Sequence, residues 1–134
     1  MKKLFLFLML TFSLYAGEIE WVESYQAGVE QAKKEGKNIY LLVTSESCRW
    51  CHKLEATTLL DDEVVRQIHK EFVPVHVTRD KDDYPSYIKA KMVPMNVFLT
   101  SEGRVFHTMP GYWNVEDFLS VLKDTRYKLK RIDR

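Results

Sequence analysis

An α/β fold, with a mixed four-stranded central sheet and helices on both of its faces, is predicted by three observations. A continuous apolar run, Asn38-Ile39-Tyr40-Leu41-Leu42-Val43-Thr44, leads into Cys48-Arg49-Trp50-Cys51 and then a helical segment. A second apolar run, Phe72-Val73-Pro74-Val75-His76-Val77, returns after helical patterns, so the first two strands pair in parallel through a right-handed crossover. Two further runs, Asn96–Thr100 and Val105–Thr108, flank Ser101-Glu102-Gly103-Arg104. That spacing, with Gly103 free to take a positive φ, is an antiparallel hairpin.

The elements follow in order. Trp21, Tyr25, Val29 and Ala32 recur at helical spacing between Ile19 and Glu35, the segment closes on Lys33-Lys34, and Gly36 stands where a helix C-terminus favours glycine. The strand Ile39–Thr44 is β-branched and aromatic and too short for a stable helix. After the cysteine-bearing helix, Asp61-Asp62-Glu63 crowds acids into a first turn, with Val64, Val65 and Ile68 on one face. Pro74 sits near the start of the second strand, where a missing donor is tolerated. Tyr84–Lys91 is predicted as a short helix, and Asn114 caps a last amphipathic helix carrying Val115, Phe118, Leu119 and Leu122.

The ends carry a separate signal. Met1-Lys2-Lys3 precedes an uncharged apolar stretch from Leu4 to Ala16, the pattern of a secretory signal peptide. The stretch covers about 20 Å as a helix, short of the roughly 30 Å hydrocarbon core, so a stable membrane anchor is not expected. Cleavage near Ala16 gives a domain of residues 17–134, one core's worth of chain, in the periplasm or secreted. Losing Lys2 and Lys3 takes the net charge of the 134-residue chain from +1 to −1. A near-neutral balance without a basic run argues against nucleic acid as a partner, and Lys128-Leu129-Lys130-Arg131 reads as a solvated helix end.

Cys48 and Cys51 are the only cysteines, which excludes a disulfide framework; the pair is itself the site or a ligand set. Two thiols three apart at a helix N-terminus can close a small ring and reopen it. The first also lies at the positive end of the helix, which favours the thiolate, the attacking form. In an oxidising compartment such a pair is there to react.

With the apolar strand entering Cys48-Arg49-Trp50-Cys51, the Val93-Pro94 dipeptide opening the next-to-last strand, the Ser101–Arg104 hairpin and Gly111 before the closing helix, the chain resembles the thioredoxin-like superfamily from about Trp21 to Lys128. It is most similar in character to small exported thiol-disulfide oxidoreductases. The resemblance implies a thioredoxin-like three-layer fold, Cys48 as exposed nucleophile, Cys51 as buried resolving thiol, and Pro94 as a cis proline facing the disulfide. Val93 would then offer its backbone to an extended substrate. It implies protein thiols and disulfides as substrates, a redox partner protein that recycles the pair, no cofactor and no metal. Reduction is favoured over oxidation, with a disulfide oxidase or isomerase as the rival.

The chain departs from the family in ways that bear on the chemistry. Where cytosolic thioredoxins carry a buried Asp, six positions before the first cysteine, this chain has Leu42; where they carry a nearby lysine it has His76. Arg49-Trp50 fills the dipeptide between the cysteines. His52, four after Cys48 on the same helix face, would favour the Cys48 thiolate when protonated, and otherwise is a surface histidine. Glu55, four after Cys51, reads as an exposed carboxylate or as a proton acceptor replacing the absent Asp, with Glu46 competing for that role. Trp50 at the surface suggests contact with a partner protein, and Tyr112, Trp113, Met92 and Met95 complete a possible apolar collar around the thiols.

Three other readings compete. Cys48-Arg49-Trp50-Cys51-His52 matches the c-type haem attachment pattern, although a small cytochrome is helical and this chain spends its apolar residues on strands. A zinc site from Cys48, Cys51, His52 and one of His69, His76 or His107 is disfavoured because His52 adjoins Cys51 on the helix. A calcium loop at Asp80-Lys81-Asp82-Asp83 fails because Pro85 stands at position six and Lys91 at twelve.

Overall fold

A computed structural model describes residues 17–133, so the expected signal peptide lies outside the described residues. The order is α1 (Tyr25–Glu35), β1 (Asn38–Thr44), α2 (Arg49–Ala56), a 3-10 turn (Thr58–Leu60), α3 (Asp62–Glu71), β2 (Phe72–Thr78), β3 (Met95–Leu99), β4 (Val105–Pro110) and α4 (Val115–Ile132). The strands form one mixed sheet in the order β2-β1-β3-β4, with β1 parallel to β2 and antiparallel to β3, and β3 antiparallel to β4.

Strand alternation divides the core in two. Tyr40 and Leu42 of β1, with Phe72 and Phe98, pack under Leu54 of α2, Val64, Val65 and Ile68 of α3, and Phe118 and Leu122 of α4. Ile39, Leu41 and Val43 face the opposite way, with Val73, Val75, Val77, Val97 and Leu99, toward Ala32 of α1 and toward Ile88 and Ala90. Helices therefore cover both faces, and α2 lies on the Tyr40–Leu42 side.

Two expectations fail. The first helix does not begin at Ile19. Ser24 is its N-cap, its hydroxyl accepting from Ala27 N at 3.3 Å, and Trp21 and Val22 lie before it in extended chain. Val22 adds a rung to the outer edge of β2: its N–H donates to the Pro74 carbonyl (2.9 Å) and its carbonyl accepts from His76 N (3.0 Å). Pairing the unprotected sheet edge outweighs the helical spacing of Trp21. Tyr84–Lys91 likewise forms no helix, only a turn closed by Ile88 N onto the Pro85 carbonyl at 3.0 Å. Pro85 pushes the residue before it away from helical geometry. Beyond the turn, Ile88 and Ala90 are buried two apart, as in extended chain, while Arg79 Nη1 holds the Ala90 carbonyl at 2.9 Å.

Candidate functional site

Strand β1 ends at Thr44, and a short turn delivers Cys48 to the N-cap position of α2 with extended backbone (φ −134°, ψ 102°). Cys48 and Cys51 are joined as a disulfide, their Cα atoms 5.2 Å apart. The Cys51 amide donates to Cys48 Sγ at 3.1 Å, so one otherwise unpaired donor of the first helical turn is spent on the first sulfur. Cys48 is 8 % exposed and Cys51 only 1 %. Of the two sulfur-bearing residues, the first is the one that solvent and a partner can reach.

Between them, Trp50 is half exposed, at 50 %. Its ring lies 5.9 Å from that of Tyr112, and Lys53 Nζ stands 5.0 Å from the Trp50 ring and 4.7 Å from the Tyr112 ring. Arg49 lies over Trp50 at 5.8 Å. The Tyr112 hydroxyl is held below its ordinary range by hydrogen bonds from Thr57 and Thr58, helped by the Lys53 charge. Of the expected collar, Trp50, Tyr112 and exposed Met92 are at the surface by the disulfide-bearing helix and the Gly111 turn, Met92 Sδ lying 3.9 Å from where a Gly111 Cβ would stand. Trp113 instead packs against the α2 side of the core and Met95 against the other side.

The Val93–Pro94 peptide bond is cis. The loop it belongs to is tied down by the backbone: Gly111 N donates to the Pro94 carbonyl at 2.8 Å, and Gly111 takes φ +86°, a conformation glycine adopts without strain. Asn96, fully buried, secures the other side. Its amide nitrogen donates to the carbonyls of Met109 (3.0 Å) and Gly111 (3.3 Å), and its oxygen accepts from the buried Tyr40 hydroxyl at 2.6 Å. Burial and the nearby Glu55 charge raise the Tyr40 phenol well above its ordinary range, so it stays a donor. Sequence reasoning missed Asn96 and Tyr40. An asparagine inside an otherwise apolar strand was the available signal, because a buried amide requires partners.

The candidates for tuning the thiols separate in space. Glu46 is exposed and pairs with Lys81 at 3.1 Å. His52 is exposed on α2, its amide donating to the Cys48 carbonyl at 3.1 Å. Glu55 is half-buried and lies 3.8 Å from His76 Nδ1, while His76 Nε2 is 2.8 Å from the Thr44 hydroxyl. Leu42, at the position of the missing Asp, is fully buried and lies directly across from His76 in the parallel ladder. His76, His69 and His107 fall on separate elements, and no cluster of three or more metal-ligating side chains occurs among the described residues.

Against known proteins, the family model described as "Thioredoxin-like domain" matches residues 25–126. Human spermatogenesis-associated protein 20 is 32 % identical over 91 residues, 61 % of this chain but 12 % of that protein, so the chain spans about an eighth of its length. Anterior gradient protein 3 of Xenopus tropicalis is 27 % identical over 63 % of this chain and 52 % of its own length. Among solved structures, a thioredoxin from Thermus thermophilus superposes with a TM-score of 0.71 at 21 % identity, covering 84 % of this chain and 90 % of that one. A structure named "DsbH Oxidoreductase" gives 0.66 at 24 % identity, covering 92 % of each chain. The chain belongs to the thioredoxin-like domain family, and its CxxC pair sits at the strand-to-helix junction of that fold.

Proposed function

We propose that the protein is a thiol-disulfide oxidoreductase that reduces disulfides in other proteins outside the cytoplasm. The observation that carries this reading is the asymmetry of the pair: Cys48 at the helix N-cap, partly reachable and receiving the Cys51 amide, and Cys51 one turn in and sealed. In the reduced protein the Cys48 thiolate attacks a substrate disulfide, forming a mixed disulfide and releasing one substrate thiolate. Cys51 then attacks Cys48 Sγ, releasing the second substrate thiolate and closing the Cys48–Cys51 bond. Two electrons pass to the substrate, and a partner dithiol must return them.

Substrate contact falls to Trp50, Val93 and Pro94. Val93 makes no backbone hydrogen bond among the described residues, and Pro94 has no N–H, so an extended segment laid beside Val93 finds a free amide and carbonyl. Export rests on Lys2-Lys3 and the apolar stretch to Ala16; no helix among the described residues is long and apolar enough to cross a membrane. That a protein of the same fold is named an oxidoreductase is consistent with the chemistry.

Trapping tests the assignment. Cys51→Ser should accumulate mixed disulfides with cellular proteins on non-reducing gels, and Cys48→Ser should accumulate none. Equal trapping by the two variants overturns the roles given to the cysteines. N-terminal sequencing of the same material should begin near Gly17; a mature chain starting at Met1 overturns the export.

A further inference from the structure

Resting on that reading, we propose that Glu55 and His76 act as one proton-exchanging pair for Cys51. Cys51 is 1 % exposed, so water has little access to its thiol, yet it must lose a proton before it can displace the substrate. Leu42 offers no acceptor. Glu55 does: it lies on the same face of α2 one turn after Cys51, and side chains four apart on a helix are neighbours. It is half-buried rather than splayed into solvent, and its charge reaches Tyr40 in the floor of the core.

His76 makes the carboxylate more than a surface acid. Register places it opposite Leu42 on β2, with Nδ1 3.8 Å from Glu55 and Nε2 2.8 Å from the Thr44 hydroxyl. The Trp21 ring covers its imidazole at a centroid distance of 5.4 Å, held there by the extra rung that Val22 adds to β2. Around the pair stand Thr44 and Tyr40 from β1 and Trp21 from the N-terminal segment, with Cys51 one turn before Glu55 on α2. Among the described residues neither Glu55 nor His76 pairs with a lysine or arginine.

The Cys51 thiol gives its proton to the Glu55 carboxylate, beside which His76 Nδ1 stands at 3.8 Å. The Cys51 thiolate attacks Cys48 Sγ, the bond between Cys48 and the substrate sulfur breaks, and the departing thiolate takes its proton from the pair or from solvent. In the reverse direction the same pair reprotonates Cys51. In this step Glu55, one turn after Cys51, takes the proton of the reacting group; His76 is a positioning residue for the Glu55 carboxylate.

Ellman's disulfide is a probe that separates the two thiol steps. Reduced protein releases one thionitrobenzoate as Cys48 forms the mixed disulfide and a second as Cys51 resolves it. Glu55→Gln should leave the first release unchanged and slow the second by about tenfold or more, at or below the low end of what a positioned base contributes. Its residual rate should climb about tenfold per pH unit with hydroxide, where the wild-type rate has levelled off. His76→Gln should displace the pH profile of the second release, and Glu55→Asp should restore part of the rate. A second release unchanged in Glu55→Gln, or slowed with the wild-type pH profile, overturns the inference, as does a profile that ignores His76→Gln. An unchanged first release in each variant shows that the fold and Cys48 are intact. If the wild type shows no first release, it is the oxidoreductase reading that fails.

Discussion

Around Cys48 the cations are placed where they do less than their number suggests. Arg49 lies over the Trp50 ring and Lys53 is shared between Trp50 and Tyr112. Lying over the Trp50 and Tyr112 rings at the surface, both are screened by solvent. What acts directly on the Cys48 sulfur is the Cys51 amide and the positive end of α2. A helix end is worth roughly 0.3–1 kcal/mol when exposed, against about 1.4 kcal/mol per pKa unit. Cys48 should therefore titrate below the free-thiol value of about 8.5 but not near the bottom of the range for reactive cysteines. His52, exposed one turn along, should add a modest contribution: His52→Ala is expected to raise the Cys48 value by less than about one unit, and Arg49→Ala by less than that. Thiolate ultraviolet absorbance against pH, on the reduced protein and both variants, measures this. A Cys48 that titrates like a free thiol would remove the chemical basis assigned to it.

At the scale of elements, α1 is fitted to β2 at one point. A Cβ added to Gly28 would stand 2.3 Å from Val75 Cγ2, and Val75 is fully buried. Gly28→Ala would gain up to about 1 kcal/mol of helix propensity. The displaced side chain is β-branched and locked in a central core position, and overpacking of this kind costs about 1–3 kcal/mol. The net expectation is a loss of up to about 2 kcal/mol, read from urea unfolding at unchanged m-value; a stabilised variant would show that α1 shifts freely on the sheet. Element type was legible wherever the signal was local. The β1 run, the acids opening α3, the Asn114 cap and the Gly103 hairpin each carry their cause within a few residues. Trp21 misled because its conformation is decided elsewhere, by the open edge of β2; in Tyr84–Lys91 the breaker, Pro85, stood in the sequence, while the hold of Arg79 on the Ala90 carbonyl did not show there. The site divides in the same way. Cys48, Cys51 and Val93-Pro94 are readable as motifs, and Glu55 was placed as a candidate by helix spacing alone. Its pairing with His76 depends on the β1–β2 register, and the Tyr40–Asn96–Gly111 chain on residues from three separate strands and turns, which no local pattern records.

For the whole molecule, the direction of electron flow is a question of stability. If the fold favours the disulfide more than the unfolded chain does, the folded pair is a better reductant than an unstructured CxxC; if it favours the dithiol, the pair is an oxidant. Here the oxidised pair is apolar and almost sealed, at 8 % and 1 % exposure. Reducing it replaces one apolar S–S bond by two polar sulfur groups in a pocket where the described donors to sulfur amount to the Cys51 amide. Burying the Cys51 thiol, which is almost fully sealed, with few partners is costly, and the modest lowering expected for Cys48 stabilises the reduced form by too little to offset it. The oxidised protein should therefore be the more stable form, melting above the reduced protein at neutral pH. Each 1.4 kcal/mol of that difference lowers the potential of the pair by about 30 mV relative to the unfolded CxxC. Thermal melts of both redox forms, compared with a glutathione titration of the Cys48–Cys51 couple, close the cycle. A reduced form that melts higher would reverse the proposed direction and make the protein an oxidant of the same substrates.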